Sequence, residues 1–279
     1  MNIAFLGPEA SFTSLAAAQL FSEGTLLPQT SIRDCFLAVA NGEADRAVVP
    51  LENSIEGTVS LTLDYLYDFP EIYVLAEAVM PIAHHLMVHP EQTSFQKVLS
   101  HPQALAQCFH FLEAQYKSIP RQDFHSTAAS AKYVSEHPEE PVAAIANAYA
   151  SQLYGLKILH HNIHDFEQNH TKFIVISKSP EEVKFQLPVK SEKTSLLITI
   201  PEDDAGGLHR VLSVFAWRKM NLSKIESRTL KTGLGNYFFF INIDGKWDNV
   251  LYQNSLEELK SIGVTVKFLG HYEEYCLEG

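Results

Sequence analysis

Short apolar runs rich in β-branched residues alternate with Ala-rich stretches that open on Ser or Thr through roughly the first 180 residues. Residues 2–6 and 44–49 have the length and composition of buried strands. The stretches that begin at Ser11, Ser31 and Ser126 carry helix formers behind an N-cap residue. Strands that alternate with helices in this way predict an α/β unit with a largely parallel sheet.

Two further apolar runs interrupt this alternation, because 72–78 and 82–88 follow one another without a helix between them. Such a pair is typical of a chain that crosses from one lobe to another. The polar stretch 162–169 precedes the last apolar run of this region and indicates the crossing back. We therefore expect two lobes, one formed by about 1–77 plus 165–180 and the other by 78–164.

The pattern changes after residue 193. Residues 179–193 are polar, contain Pro180 and Pro188 and lack a clear period, which indicates a linker at 181–193. The remainder, 194–279, predicts a ferredoxin-like βαββαβ domain. Its elements are a strand (195–200), a helix (207–219), two strands (222–230 and 237–244) joined at Gly233-Leu234-Gly235, a helix (248–262) and a strand (264–270).

Composition restricts the partners and the compartment. The net charge is -12 and no long Lys/Arg run occurs, so neither a nucleic acid nor an anionic membrane is an expected partner. No apolar run reaches the roughly 20 residues that span a bilayer, and the apolar run near Met1 is too short for a signal peptide. The widely separated Cys35, Cys108 and Cys276 fit reduced thiols. We expect a cytoplasmic protein.

Polar side chains cluster where predicted strands end and helices begin. Gly7 to Ser11 joins a strand to a helix N-terminus, a ready anion site, but no Gly-Lys-Ser/Thr follows, so it is not a P-loop. Gln103 and Gln107 are four residues apart and share one helix face. Ordinary polar loops and solvated helix faces show the same features. The candidates are Ser11, Thr13, Glu52, Asn53, Ser54, Ser100, Gln103, Gln107, Ser126 and Thr127.

One short stretch places a hydroxyl, a cation and an aromatic ring side by side before a strand. Thr171, Lys172 and Phe173 lie at the start of the apolar run 173–176. Junctions between a loop and a strand are where α/β proteins often place working groups. Adjacent strand residues point to opposite faces, so Thr171 and Lys172 reach one ligand only if the backbone is irregular. A polar turn before a strand is the alternative interpretation.

Taken in order, these segments resemble the prephenate dehydratase family over essentially the whole chain. The similar segments are 7–13, 50–57 and 100–108, and Thr171-Lys172-Phe173 resembles the family's Thr-Arg-Phe signature. The C-terminal part resembles an ACT regulatory domain. Lys172 replaces the family's arginine and Thr229 replaces a usual proline. Lysine keeps the charge but loses the planar fork, which indicates a modified site.

The resemblance implies a two-lobed, periplasmic-binding-protein-like catalytic domain that converts prephenate to phenylpyruvate with loss of water and carbon dioxide. It implies Thr171 as hydrogen-bond donor to the leaving hydroxyl, with Lys172 as a second catalytic group and Phe173 with the ten candidates above as substrate-binding residues. It also implies that L-phenylalanine binds the ACT domain as a feedback effector. The implied effector-binding residues are Gly206, Gly207, Leu208, Asn221, Leu222, Glu226 and Ser227.

Other interpretations stay open at this point. Arogenate dehydratase shares the fold and the chemical steps, and a non-catalytic amino-acid sensor would need no proton donor. His160, His161, His164 and His170 lack an accompanying ligand set at a familiar spacing, so we expect no metal and no cofactor. An effector pocket made between ACT domains requires a homodimer or homotetramer. No all-helical stretch precedes the first strand, which predicts a monofunctional enzyme without a chorismate mutase segment.

Overall fold

Two β-sheets and the helices packed on them form the described part of the chain, residues 1–200, 205–230 and 237–279 of a computed structural model. The elements are β1 (Asn2–Leu6), α1 (Phe12–Leu20), β2 (Thr25–Gln29), α2 (Ile32–Ala40), β3 (Arg46–Asn53), β4 (Gly57–Thr58), α3 (Ser60–Asp68), β5 (Tyr73–Pro81), β6 (His85–Val88), β7 (Lys97–Ser100), α4 (Pro102–Gln107), α5 (Phe109–Gln115), β8 (Arg121–Asp123), α6 (Thr127–Glu136), β9 (Val142–Ala146), α7 (Ala148–Tyr154), β10 (Lys157–His160), β11 (His170–Ser177), β12 (Val189–Thr199), α8 (Gly207–Trp217), β13 (Asn221–Thr229), β14 (Tyr237–Asp244), α9 (Asn249–Ser261) and β15 (Thr265–Cys276).

The first sheet carries the order β2-β1-β3-β11-β5 in its N-terminal half. β1 runs parallel to β2 and β3, whereas β11 pairs antiparallel with β3 and β5. Buried aliphatic and aromatic side chains on both faces of these strands pack against α1 and α2. β11 thus lies between two buried strands, which fixes the position of the residues at its start.

The second sheet has the order β10-β6-β9-β7-β8 and forms the other lobe. The chain enters this lobe between Pro81 and His85 and returns between His160 and His170. The predicted lobe boundary at 77/78 therefore falls inside a strand. β5 continues to Pro81 because β11 pairs with it over its whole length, His170 opposite Pro81 and Thr171 opposite Met80.

The C-terminal part has the predicted βαββαβ order in β12, α8, β13, β14, α9 and β15. Two strands are longer than predicted. β12 begins at Val189, inside the predicted linker, and β15 continues to Cys276, where Glu274 to Cys276 pair with β5. This pairing joins the C-terminal strands to the first sheet. Gly270 permits it, because a Cβ there would overlap the carbonyl oxygen of Val74.

β2, which contains Pro28, was not predicted from the sequence. Proline removes a ladder donor and argues against a central strand, but β2 is the outermost strand of its sheet, where proline is tolerated. The predicted turn at Gly233-Leu234-Gly235 lies outside the described residues. Among the residues that the structure describes, no helix combines the length and the hydropathy needed to cross a membrane.

Candidate active site

A cavity of about 470 Å³ lies between the two lobes. It is bounded by the end of β1, the start of α1, the turn after β3, the starts of α4 and α6, and the start of β11. The sequence-predicted residues that line it are Ser11, Thr13, Asn53, Gln103, Gln107, Ser126, Thr127 and Thr171. Segments more than 100 residues apart in the chain therefore meet at one concave surface.

The remaining candidates do not line this cavity. The Ser100 side chain is fully buried and donates its hydroxyl to the carbonyl of Ile145 at 2.7 Å. Ser54 bonds the chain where it re-enters the first lobe, donating to Gln168 O and accepting from His170 N, both at 3.0 Å. These serines fix the backbone around the cavity, which corrects their predicted substrate-binding role.

Two of the three residues in the Thr-Lys-Phe stretch are also placed differently from the prediction. Lys172 pairs with Glu52 at 3.1 Å, and neither side chain lines the cavity. Alternation along β11 explains this, because neighbouring residues point to opposite faces of a sheet. Phe173 is 1% exposed and packs in the core with Phe5 and Val48. Of this stretch, Thr171 alone among the described side chains lines the cavity.

Asn53 fixes the hydrogen-bonding polarity at Thr171. The backbone N–H groups of Ile55 and Glu56 donate to Asn53 Oδ1 at 2.9 and 3.0 Å. Since a backbone N–H only donates, the Asn53 atom that faces Ile55 and Glu56 is the amide oxygen, and the atom that faces Thr171 is the nitrogen of the NH₂ group. Asn53 Nδ2 lies 2.9 Å from Thr171 Oγ1, and an amide NH₂ only donates. The Thr171 oxygen therefore accepts from Asn53, and the Thr171 proton is left to point toward the cavity.

The hydrogen bonds continue from Asn53 into the second lobe, and each amide donates to the next. Asn53 Nδ2 also donates to Asn169 Oδ1 at 2.8 Å, and Asn169 Nδ2 donates to Gln107 Oε1 at 3.1 Å. His84 Nε2 lies 3.1 Å from the same Gln107 oxygen. Asn169 and His84 both line the cavity, and the sequence analysis assigned neither to the site. The loop position of Asn169 beside Thr171 was the available signal.

Helix N-termini supply the positive potential of the cavity. Ser11 caps α1 by accepting from Ser14 N at 3.1 Å, and Ser126 caps α6 by accepting from Ala129 N at 3.0 Å. The N-terminal end of a helix carries unpaired N–H groups and the positive end of its dipole. Among the described side chains that line the cavity, none is Lys or Arg. Oriented N–H groups at these helix ends are therefore available to an anionic ligand, and His101 and His125 also line the cavity.

Part of the cavity lining is apolar. Leu6, Phe12, Val59, Ile82 and Ala104 line the cavity together with the amide and hydroxyl groups. A carboxylate in contact with such side chains loses hydration, whereas a carboxylate at a helix N-terminus is stabilised. The cavity lining thus contains apolar side chains as well as helix N-termini.

A polar cluster behind the cavity joins it to β13. Glu52 accepts from Lys224 Nζ at 2.8 Å as well as pairing with Lys172. Lys224 also donates to Thr58 Oγ1 at 2.8 Å, and Thr58 donates to Glu226 Oε2 at 3.0 Å. Burial alone would raise the pKa of Glu52, but the hydrogen bonds from the two lysines outweigh it and lower that pKa. Thr58 lines the cavity, so a residue of β13 lies one hydrogen bond from its wall.

The predicted effector-binding residues fall into two groups. Gly206, with φ 79°, caps α8, and Gly207 and Leu208 follow in its first turn. Asn221 and Leu222 begin β13, along which half-buried and exposed residues alternate. Ser227 is exposed, whereas Glu226 is half-buried and bonds to Thr58 in the first lobe. Glu226 and Ser227 thus point to opposite faces, which the sequence analysis did not foresee.

Comparisons with known proteins identify the family of this chain. A sequence model of the family described as prephenate dehydratase matches residues 3–181. The chain belongs to the prephenate dehydratase family. A prephenate dehydratase of Bacillus subtilis is 43% identical over 286 residues, which cover 99% of this chain and 100% of the relative. Among the described residues, no group of three or more His, Cys, Asp or Glu side chains is arranged to hold a metal ion.

Solved structures show the same similarity over the full length. The structure of a prephenate dehydratase from Arthrobacter aurescens in complex with L-Phe has a TM-score of 0.84 and 33% identity, covering 98% of this chain and 90% of that one. A structure described as a quorum-quenching acylase has a TM-score of 0.83 and 25% identity, covering 98% of each chain. The family's fold is therefore also found in a protein described by another activity.

Proposed function

We propose that the chain converts prephenate to phenylpyruvate in the cavity between the two lobes, with Thr171 as the donor to the departing hydroxyl. The hydrogen bond from Asn53 Nδ2 to Thr171 Oγ1 supports this role most directly, because it leaves the Thr171 proton for the ligand. Hydroxide is a poor leaving group, so a donor aimed at it lowers the barrier. Among the described residues, Thr171 Oγ1 has a donor rather than a base as its partner, an arrangement suited to donation and not to nucleophilic attack.

The chemistry requires different treatment of the two substrate carboxylates. In the reaction the bond from the ring to its carboxylate carbon breaks, its electron pair enters the ring, and carbon dioxide is released. The C–O bond to the hydroxyl breaks as that group takes up a proton from solvent and leaves as water, while Thr171 donates a hydrogen bond to it and keeps its own proton. We assign the pyruvyl carboxylate to the helix N-termini at Ser11 and Ser126. The ring carboxylate then faces Phe12 and Ile82. A poorly solvated carboxylate is more easily lost as neutral carbon dioxide.

The domain organisation follows the same proposal. Residues 1–180 would form the two-lobed, periplasmic-binding-protein-like catalytic domain and residues 194–279 the ACT domain. The βαββαβ order supports the second assignment. β12 already begins at Val189, so the connection between the two domains is shorter than the predicted linker. The pairing of β15 with β5 supports a fixed rather than a flexible junction.

L-Phenylalanine is the proposed feedback effector, since a relative of this fold has been crystallised with it. It would bind near Gly206, Gly207 and Leu208 with the exposed side of β13. A homodimer or homotetramer would complete that site. The opposite side of β13 carries Lys224 and Glu226, which bond to Glu52 and Thr58. A shift of β13 on effector binding would thereby move residues next to Asn53.

The assay that tests the function uses the purified full chain with prephenate. We expect stoichiometric phenylpyruvate and carbon dioxide, and a lower rate when L-phenylalanine is added. Arogenate, with an amino group in place of the keto group, serves as the comparison substrate, and a higher kcat/KM for arogenate would replace prephenate in the proposal. Tight binding of L-phenylalanine without turnover of either compound would contradict an enzyme and favour an amino-acid sensor.

Removal of the Lys224 charge tests the proposed route between effector and cavity. Lys224→Gln breaks the contacts with Glu52 and Thr58 while leaving the cavity lining in place. We expect the basal rate to be kept and the effect of L-phenylalanine on prephenate affinity to fall about fivefold or more, the scale of a typical coupling free energy. Lys132→Gln is the matched control, because Lys132 is exposed and pairs with Glu136 within α6. Equal coupling in both variants would exclude this route.

A further inference from the structure

We infer that His84 is a positioning residue of this cavity: held as the neutral Nε2–H tautomer, it fixes the Gln107 side chain so that the Gln107 NH₂ group faces the ligand. The inference rests on the proposed function for the identity of that ligand. His84 is 3% exposed and lies between the two lobes, with its ring 5.7 Å from the ring of Phe12 at an edge-to-face angle. Its ring contacts the cavity wall without being open to solvent.

The tautomer follows from the polarity that begins at the backbone. The N–H groups of Ile55 and Glu56 make the Asn53 amide donate to Asn169 Oδ1. Asn169 must then donate through Nδ2, so the Gln107 atom that receives this hydrogen bond is Oε1. His84 Nε2 lies 3.1 Å from that same oxygen. Two acceptors cannot share a hydrogen bond without a proton, so Nε2 carries it.

The other ring nitrogen of His84, Nδ1, has no hydrogen bond to a described residue in this arrangement. This nitrogen is buried. The ring thus forms the Nε2–H bond to Gln107 and leaves Nδ1 unsatisfied. Burial lowers the pKa of His84 to about 4, and His164 and His85 nearby add to that direction. The ring is therefore uncharged at neutral pH.

Because the oxygen of the Gln107 amide is occupied, its NH₂ group is the end that can bind a ligand. Two donors, Asn169 Nδ2 and His84 Nε2, occupy Gln107 Oε1. Gln107 lines the cavity, so the NH₂ group at the other side of its amide is the end available to a ligand. A flipped amide would place its NH₂ group against both of these donors. Gln107 is thus restricted to donating, and the ligand atom that it meets must be a carboxylate, carbonyl or hydroxyl oxygen.

A matched pair of variants separates this donor from the volume of the ring. In His84→Gln the amide nitrogen reaches the place of Nε2, whereas in His84→Asn the shorter side chain ends near the place of Nδ1. We expect kcat/KM for prephenate to fall about ten- to a hundredfold in His84→Asn, the scale for losing one buried hydrogen-bond partner, and to recover most of the loss in His84→Gln. The effect should be mainly in KM, because Gln107 contacts the substrate in both ground and transition states. Equal loss in both variants would overturn the inference.

The tautomer itself is measured on the wild-type chain, and one folded variant at position 84 is enough to assign its signals. Long-range ¹H–¹⁵N NMR at neutral pH distinguishes protonated from bare ring nitrogens, and the signals that vanish in His84→Gln or His84→Asn belong to His84. We expect a proton on Nε2 and a bare Nδ1. A proton on Nδ1, alone or with one on Nε2, would overturn the inference even if prephenate is turned over. A chain that shows the expected tautomer but no turnover would instead contradict the proposed function.

Discussion

We expect Thr171→Val to turn prephenate over about 10²- to 10⁴-fold more slowly than the wild-type chain, the contribution of a donor positioned at the departing group. Valine has nearly the shape of threonine and keeps the backbone pairing of Thr171 with Asn53 and Met80. The substrate should therefore still bind with similar affinity, because the lost hydrogen bond acts on the leaving hydroxyl mainly in the transition state. The measurement is the single-turnover rate together with the equilibrium affinity for prephenate.

Thr171→Ser is the control for this variant. Serine keeps a hydroxyl that accepts from Asn53 Nδ2 and donates to the cavity, so we expect most of the wild-type rate. The methyl group of threonine restricts the rotamer, and a modest loss from the greater freedom of serine is consistent with the proposal. A valine variant with the full wild-type rate would remove Thr171 from the reaction.

Asn53→Asp is expected to lower the rate about 10²- to 10³-fold, the scale found when one donor of a preorganised site is removed. Aspartate has the same shape and still accepts from the N–H groups of Ile55 and Glu56. Its second oxygen accepts where the amide of Asn53 donated, so the Thr171 proton turns toward residue 53 and away from the substrate. The added negative charge also repels a dianionic ligand, which should weaken prephenate binding.

Asn53→Ala is the comparison that isolates polarity from packing. Alanine removes the donor to Thr171 but leaves its hydroxyl free to rotate toward the substrate. We therefore expect Asn53→Ala to be faster than Asn53→Asp, although alanine is the larger change in volume. Steady-state rates at saturating prephenate provide the measurement. An aspartate variant as fast as the alanine variant would show that the direction of this hydrogen bond does not matter.

Local sequence signals were sufficient for the positions that act as helix caps. Ser11, Ser31 and Ser126 begin helices in the structure as predicted, because an N-cap side chain bonds to a backbone group only three residues away. The carboxyl end of β3 was also a predictable place for polar residues, and Asn53 lines the cavity there. These features depend on short stretches of chain, which a sequence shows directly.

Contacts between distant segments were harder to predict from the sequence. Lys172 was expected beside Thr171 in the site, but its partner Glu52, which also pairs with Lys224, lies on another strand, and register decides which face each side chain takes. The bond between Asn53 and Thr171 joins residues 118 positions apart. His84 was assigned no role in the site, because its interaction with Gln107 depends on how the segment before β6 packs against α4. Motifs therefore indicated which residue types form the site, while the directions in which their side chains point required the tertiary structure.

The most direct measurement is the single-turnover rate of the double variant Thr171→Val with Asn53→Ala. If Asn53 acts by orienting the Thr171 hydroxyl, its removal has no further effect once that hydroxyl is gone. We therefore expect the double variant to be no more than about threefold slower than Thr171→Val alone, since residues acting as a unit are strongly non-additive. A double variant whose loss equals the product of the two single losses would contradict this orientation of Thr171 by Asn53.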